Sequence, residues 1–224
     1  MGMERRRSPV DGDATRARLI ETAERLFAEQ GIGPVSVRLI NREAGLGPAA
    51  VHYHFSSKQG IVDAVLRRLG DPINDKFIAG AHELLERRGE LSACDVIDVW
   101  ASPIIEALEI DLVRGIRWLK VTTKISGRDS ARLWGTGADW RAVLERAFPD
   151  APEGDRMLGW SLASVALPQL LARAPIGNAP NDVAARTKYM AAACDFVVHG
   201  LESMVGVRER RRSAVRTKTI RPGR

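Results

Sequence analysis

The sequence predicts an all-α protein of about nine helices, with a small three-helix head ahead of a larger helical body. Three observations lead there. Apolar residues recur at helical spacing from Leu19 to Val205, and no period-two alternation persists anywhere. Residues 36–58, SVRLINREAGLGPAAVHYHFSSK, hold two short helical patterns joined by a tight glycine-containing turn, the signature of a helix-turn-helix. The 224 residues, 45% hydrophobic and 28% charged, suffice for one large domain or two small ones with a real core.

Taken in order, residues 1–13 are polar and Arg-rich and read as a flexible basic arm. The first helix is expected from about Ala14 to Gln30, with Leu19, Ile20, Ala23, Leu26 and Phe27 on one face and Gly31 ending it. Ser36 is a plausible N-cap for the second helix, whose Val37, Ile40 and Ala44 face inward. Gly45 suits the left-handed position that stops a helix. Pro48 suits the first turn of the third helix, where its missing N–H costs nothing, and Val51 and Phe55 are that helix's inward pair. The head therefore spans 14–57. Ser56 and Gln59 fit a capping box for a fourth, linking helix over 58–70, striped with Ile61, Val62, Val65 and Leu69, and Asp71-Pro72 is expected to end it. In the body, 71–206, helical patterns run over 73–88, 92–108 (with a kink at Pro103), 112–126, 153–173 and 182–206. The stretch 129–148 is less regular because Gly135 and Gly137 interrupt it, and residues 207–224 read as a basic disordered tail.

The net charge of +6 is unevenly spread. Residues 1–70 carry 11 Lys/Arg against 8 Asp/Glu, residues 71–206 carry 15 against 19, and residues 207–224 carry 8 against 1. The basic balance comes largely from the tail, so total charge is a weak argument for nucleic acid and the motif must carry it. No apolar run approaches the ~18 residues a membrane span needs, and no apolar stretch follows Arg5–Arg7 as in a signal peptide, so cytoplasm is the default. Cys94 and Cys194 lie far apart and read as two buried thiols. No Cys/His cluster has zinc spacing, and His52 and His54, at i and i+2, point to opposite sides of a helix. No P-loop, GxSxG, HExxH or dinucleotide fingerprint is present. The expectation is a protein that is not an enzyme and holds no cofactor or metal.

The third helix carries the chemistry. Gly47, Pro48 and Ala49 let its N-terminus approach a duplex closely, where free N–H groups and the positive dipole end favour a phosphate. Ala49 and Ala50 can touch a thymine methyl, and His52 and Tyr53 can hydrogen-bond a phosphate or a base edge. Arg38 can reach the groove edge or a guanine, and Lys58 would clamp a backbone phosphate. Taken singly, each also has a plain structural role as a small packing group or a solvated charge. The set together points to double-stranded DNA. The basic arm could enter a minor groove and the tail could add nonspecific affinity; as readily, both are solvated ends.

Residues 17–31 (ARLIETAERLFAEQG), 36–46 (SVRLINREAGL), 51–55 (VHYHF) and 57–66 (SKQGIVDAVL) resemble the TetR family of bacterial transcriptional regulators. The resemblance covers about a quarter of the chain. It implies a three-helix DNA-binding head, a linking fourth helix, and a variable helical body that binds a small ligand and dimerises through its last two long helices. It also implies that Ser36 donates to a phosphate. The family often has Ala at Asn41, Ser or Thr at Gly47, Gly at Ala49 and Tyr at His52, so this chain departs from it at four places.

In the body, all five tryptophans are candidates for plain core. Trp100, Trp118 and Trp160, in regular helices, are also candidates to line a mostly apolar pocket for a small-molecule effector. The segment 157–171 is apolar almost all round and must be covered on every side. Leu162, Val165 and Leu170, with Phe196, Val197, Gly200, Leu201 and Met204, are the candidate homodimer face. The whole reads as a ligand-responsive transcriptional regulator, more readily a repressor than an activator. It would bind a near-palindromic operator as a dimer and be released by a small, mostly apolar ligand. The alternatives are an architectural DNA binder without a ligand, or an enzyme without a recognisable motif.

Overall fold

The computed structural model describes residues 9–125, 138–177 and 179–206. Arg5–Arg7, Trp134, Gly135, Gly137 and the tail 207–224 lie outside the described residues. Within them the chain is helical, with no strand. In chain order the helices are α1 (Pro9–Gln30), α2 (Val37–Glu43), α3 (Ala50–Phe55), α4 (Lys58–Glu86), α5 (Ala93–Ile110), α6 (Leu112–Thr122), α7 (Ala138–Ala147), α8 (Glu153–Leu171) and α9 (Pro180–Met204).

α1 begins at Pro9, within the stretch expected to be a flexible arm and not at about Ala14, and α6 ends at Thr122 and not at 126; two further boundaries differ for reasons the structure shows. Ser56 sits at φ +61 as the residue that leaves α3, so it cannot cap the next helix. The extended Ser57 caps α4 instead, accepting the Gly60 N–H at 3.0 Å. More consequentially, α4 does not end at Asp71-Pro72 but runs through the proline for 29 residues. A proline inside a helix costs about 3 kcal/mol. Beyond it Ile73, Phe77 and Leu84 are all at most 3% exposed. Burying each contributes about 1.5–3 kcal/mol, which outweighs the loss.

Two apolar clusters result, and α4 belongs to both. The head cluster gathers Leu19, Leu26, Phe27, Ile40, Val51 and Phe55 with Ile61, Val65 and Leu66 of α4. The body cluster takes over from Ile73 onward on the same helix. Helix α6 crosses the division: its Val121 lies in the head cluster, while Trp118 donates its indole N–H to the Leu66 carbonyl at 2.9 Å.

The body is built around aromatic rings. Trp100 meets Phe77 at 5.8 Å and Trp160 at 5.1 Å, and Trp160 stacks on Trp140 at 4.8 Å. Trp100, Trp118 and Trp160, the three pocket candidates, are at most 1% exposed and sit in the interior of the body. Cys94 is also corrected: it is exposed at the start of α5, while Cys194 is half-buried and burial pushes its thiol up to about 11.

Candidate nucleic-acid interface

Helix α2 begins at Ser36, whose hydroxyl oxygen accepts the Leu39 N–H at 3.1 Å. It ends in a Schellman motif. Gly45, at φ +63, donates to the Arg42 carbonyl, and Leu46 donates to the Asn41 carbonyl, both at 2.9 Å. Pro48 stands just ahead of α3, inside a turn in which the Ala50 N–H reaches the Gly47 carbonyl at 3.0 Å. Neither Gly47 nor Pro48 has a side-chain oxygen, and the N-cap Ala49 makes no side-chain bond.

The missing cap comes from α2. Asn41, 2% exposed, accepts the Val51 N–H on Oδ1 at 3.0 Å and donates Nδ2 to the Pro48 carbonyl at 2.5 Å. One amide thus holds both sides of the turn and fixes α3 against α2. An amide on the inward stripe beside Val37, Ile40 and Ala44 was the sequence signal for it. Gly60 is a second residue the sequence pattern passed over. A Cβ there would overlap the Phe55 carbonyl oxygen, so α4 can leave α3 this closely only from a glycine.

On this support the outer surface of α3 is open. Tyr53 is 84% exposed, and Gly47, Pro48, Ala49 and His52 are exposed as well. Space around Gly47 is free. Ala50 is half-buried and packs against the head cluster, so it has less surface to offer than Ala49. The His52 ring sits with Nδ1 3.1 Å from the Ser56 carbonyl. A carbonyl only accepts, so Nδ1 is the donor in this contact and Nε2 is the ring's other polar atom. Arg38 is exposed on α2, and Ser36 keeps its hydroxyl hydrogen for donation. Lys58 is already engaged, donating to the Gly33 carbonyl at 2.9 Å and so fastening α4 to the α1–α2 turn. Its two remaining hydrogens are free for an acceptor. Among the described residues, no three His, Cys, Asp or Glu groups could hold a metal ion together, and no helix is long and apolar enough to cross a membrane.

Of the candidate dimer residues, Leu162, Val165, Phe196 and Gly200 lie exposed on the outer side of α8 and α9. Leu158, at 49% exposure, extends the same face and was not among the sequence candidates. The others are less exposed in the single chain. Val197 and Leu201 are at most 3% exposed and belong to the body cluster. Leu170 packs against that cluster and accepts the Tyr189 hydroxyl at 3.0 Å. Met204 is half-buried and lines a shallow groove of about 340 Å³ with Leu162, Phe196 and Gly200.

A short exposed helix, held rigidly by its predecessor on a three-helix head and followed by a helical body, defines a helix-turn-helix DNA-binding protein. Residues 19–65 match the family described as bacterial regulatory proteins, tetR family. The chain is 30% identical over 98 residues to the uncharacterized HTH-type transcriptional regulator TtgW of Pseudomonas putida, covering 44% of this chain and 72% of that one. It therefore belongs to the TetR family. It is also similar to the HTH-type transcriptional regulator SrpR, again of Pseudomonas putida, at 30% identity over 44% of this chain and 45% of that protein. Similarity to the HTH-type transcriptional repressor KstR2 of Rhodococcus jostii is 35% over 35% and 38%. The chain thus spans less than half the length of either. Among solved structures, SmeT, the repressor of the Stenotrophomonas maltophilia multidrug efflux pump SmeDEF, shares the fold. The TM-score is 0.55 at 20% identity, over 84% of this chain and 91% of that one.

Proposed function

We propose that the protein is a homodimeric transcriptional repressor whose two heads read the half-sites of a near-palindromic operator and release it when a small, mostly apolar molecule binds the body. The observation that carries this is the exposure of α3 on a stapled support: Tyr53, His52 and Ala49 face outward while Asn41 fixes the helix from behind. A helix presented so can enter a major groove without losing core contacts. Ser36, Arg38 and Lys58 flank it as phosphate contacts, and Gly47 and Pro48 allow close approach of the backbone. Ala49 and Ala50 take the thymine-methyl role.

The dimer is supported by the face of Leu158, Leu162, Val165 and Phe196, which this chain leaves uncovered. Gly200 supports it too, since nothing lies within 4 Å of a Cβ built there and its small size serves no contact within the subunit. Repression has the support of similarity to KstR2 and, in fold, to SmeT, each named a repressor.

The test is a gel shift of the full chain on DNA from upstream of its own gene, at several salt concentrations, against random duplex. A preference of about 10³ or more for one site, with a footprint of two half-sites a helical turn or more apart, is the expected result. Equal affinity for random DNA would reject specific reading.

A further inference from the structure

The head meets the body where α1 lies against α4 and α6. Several bonds close that seam. Trp118 of α6 holds the Leu66 carbonyl of α4, and Val121 of α6 sits in the head cluster. Just past α6, Lys124 Nζ donates to the Phe27 and Ala28 carbonyls, at 3.4 and 3.1 Å, near the end of α1. The same seam encloses a carboxylate. Glu24 of α1 is 2% exposed, and its Oε2 is buried without a hydrogen-bond partner. Arg68 of α4 has its Nη1 buried in the same condition.

The charges that act on Glu24 come from each side of the seam. Arg68 on α4 pulls most strongly, then Arg114 and Arg117 on α6, while Glu21 on α1 itself opposes them. Helix α2 also packs on α1, and there Glu43 faces Arg25 at 3.7 Å. Arg114 is shared with Asp111, 3.7 Å away. None of the three arginines bonds Oε2. A buried carboxylate without bonds is costly, and a neutral carboxyl much less so. Burial therefore outweighs the arginines and raises the Glu24 pKa above the usual carboxylate value. An opened seam, with Glu24 in water, would restore that usual value. The packed seam thus binds the proton more tightly. Its penalty is complete above the raised pKa and vanishes as pH falls below the usual one, so acid favours packing.

We propose that Glu24 is a proton-operated latch between head and body: neutral, it leaves α1 seated on α4 and α6, and ionised, it works against that seat and loosens the head. The grip on DNA then follows pH. That second half rests on the regulator function proposed above; the latch itself does not. A seated head holds α3 in a fixed place relative to its twin, so two half-sites are met with less ordering cost and acid strengthens the complex.

The test begins with the full chain without DNA. Carbon-13 NMR follows the Glu24 carboxyl, assigned through its own side-chain carbons, and its midpoint should lie above the ordinary glutamate range of about 4–5. This titration needs no variant. Glu24→Gln, a neutral isostere, should raise the urea midpoint over wild type at pH ~7.5, and the gap should shrink toward pH ~5. Amide exchange in α1 and α6, corrected for its intrinsic pH dependence, should slow in the same variant at pH ~7.5. A Glu24 midpoint in the ordinary range overturns the latch. So does a glutamine variant less stable than wild type at pH ~7.5, which would make Glu24 a plain partner of the arginines. A second arm reads operator affinity by anisotropy. Between pH ~7.5 and ~5 the wild type should gain about fivefold more than Glu24→Gln. Equal gains, with the titration and the stability gap intact, overturn the coupling to DNA. A chain that shows the latch but binds no operator defeats the regulator function and leaves the latch standing.

Discussion

Asn41→Ala removes the staple of the helix-turn-helix, and its cost can be worked from two bonds. The Val51 N–H, on a residue with 0% exposure, loses its acceptor at 3.0 Å and no water can replace it. An unsatisfied buried donor costs about 1–3 kcal/mol. The Pro48 carbonyl loses a donor at 2.5 Å, but Pro48 is exposed and water can take over, so only about 0.5–1 kcal/mol is added. The sum, about 1.5–4 kcal/mol, is a large share of the stability of a typical domain. Urea denaturation of the full chain measures it, and hydrogen exchange at the Val51 amide places the loss in the turn. Operator affinity should fall further than the global destabilisation explains, because α3 is no longer held to α2. Asn41→Asp keeps the acceptor and loses the donor, so it should be intermediate. A urea midpoint for Asn41→Ala within error of wild type, with Val51 still protected, would refute the staple.

Three other outcomes test separate parts of the molecule. Lys58→Ala should weaken binding to every duplex alike and flatten the slope of log affinity against log salt by about one, read by anisotropy; a change in sequence preference would contradict its phosphate role. Phe196→Glu, at a site 68% exposed in the subunit, should leave the fold intact and convert a dimer to monomer in light scattering; an unchanged mass would remove Phe196 from the interface. Asp95 accepts the Ser92 hydroxyl at 2.6 Å, the Ser92 N–H at 2.8 Å and Arg87 at 2.6 Å, and these bonds hold its carboxyl down from 3.8 to about 2. Its contribution is complete above pH ~4 and lost as pH falls toward ~2, so Asp95→Asn should cost about 1–2 kcal/mol at pH 7 and little at pH 2 in thermal melts.

The head was legible because its signals are local. Ser36 caps, Gly45 takes a left-handed φ, and the inward residues Leu19, Phe27, Ile40 and Val51 follow a 3.6-residue period. Pro72 misled because a local breaker rule competes with burial further along the chain, and burial of Phe77 and Leu84 won. The last two helices show the limit of pattern in another way. A segment apolar all round reveals that it is covered, but not which side faces its own core: Leu167 and Leu171 went inward, Leu158 and Val165 outward. Trp100, Trp118, Trp140 and Trp160 were ambiguous for the same reason, and all four are buried. The grouping of Glu24 with Arg68, Arg114 and Arg117 had no signal at all, since it joins three helices distant in sequence.

The departures from the family pattern at Asn41 and Gly47 are best understood as one change. A helix start without a side-chain cap leaves orphan N–H groups, at a cost of about 1 kcal/mol. Gly47 and Ala49 bring no side-chain oxygen to α3, and Asn41 supplies one from the neighbouring helix. Where relatives carry Ser or Thr at the position of Gly47, an Ala at the position of Asn41 leaves no comparable deficit. The two positions should therefore be coupled. Gly47→Ser has open space and should add little to the wild type, where Asn41 already serves the turn. In the Asn41→Ala background it should recover about 0.5–1 kcal/mol by accepting from the Ala49 N–H and so holding the turn that Asn41 no longer holds. A double-mutant cycle in urea reads the difference. Strict additivity would mean that the two residues support α3 independently, and that the exchange of a local cap for one borrowed from α2 is not what distinguishes this head.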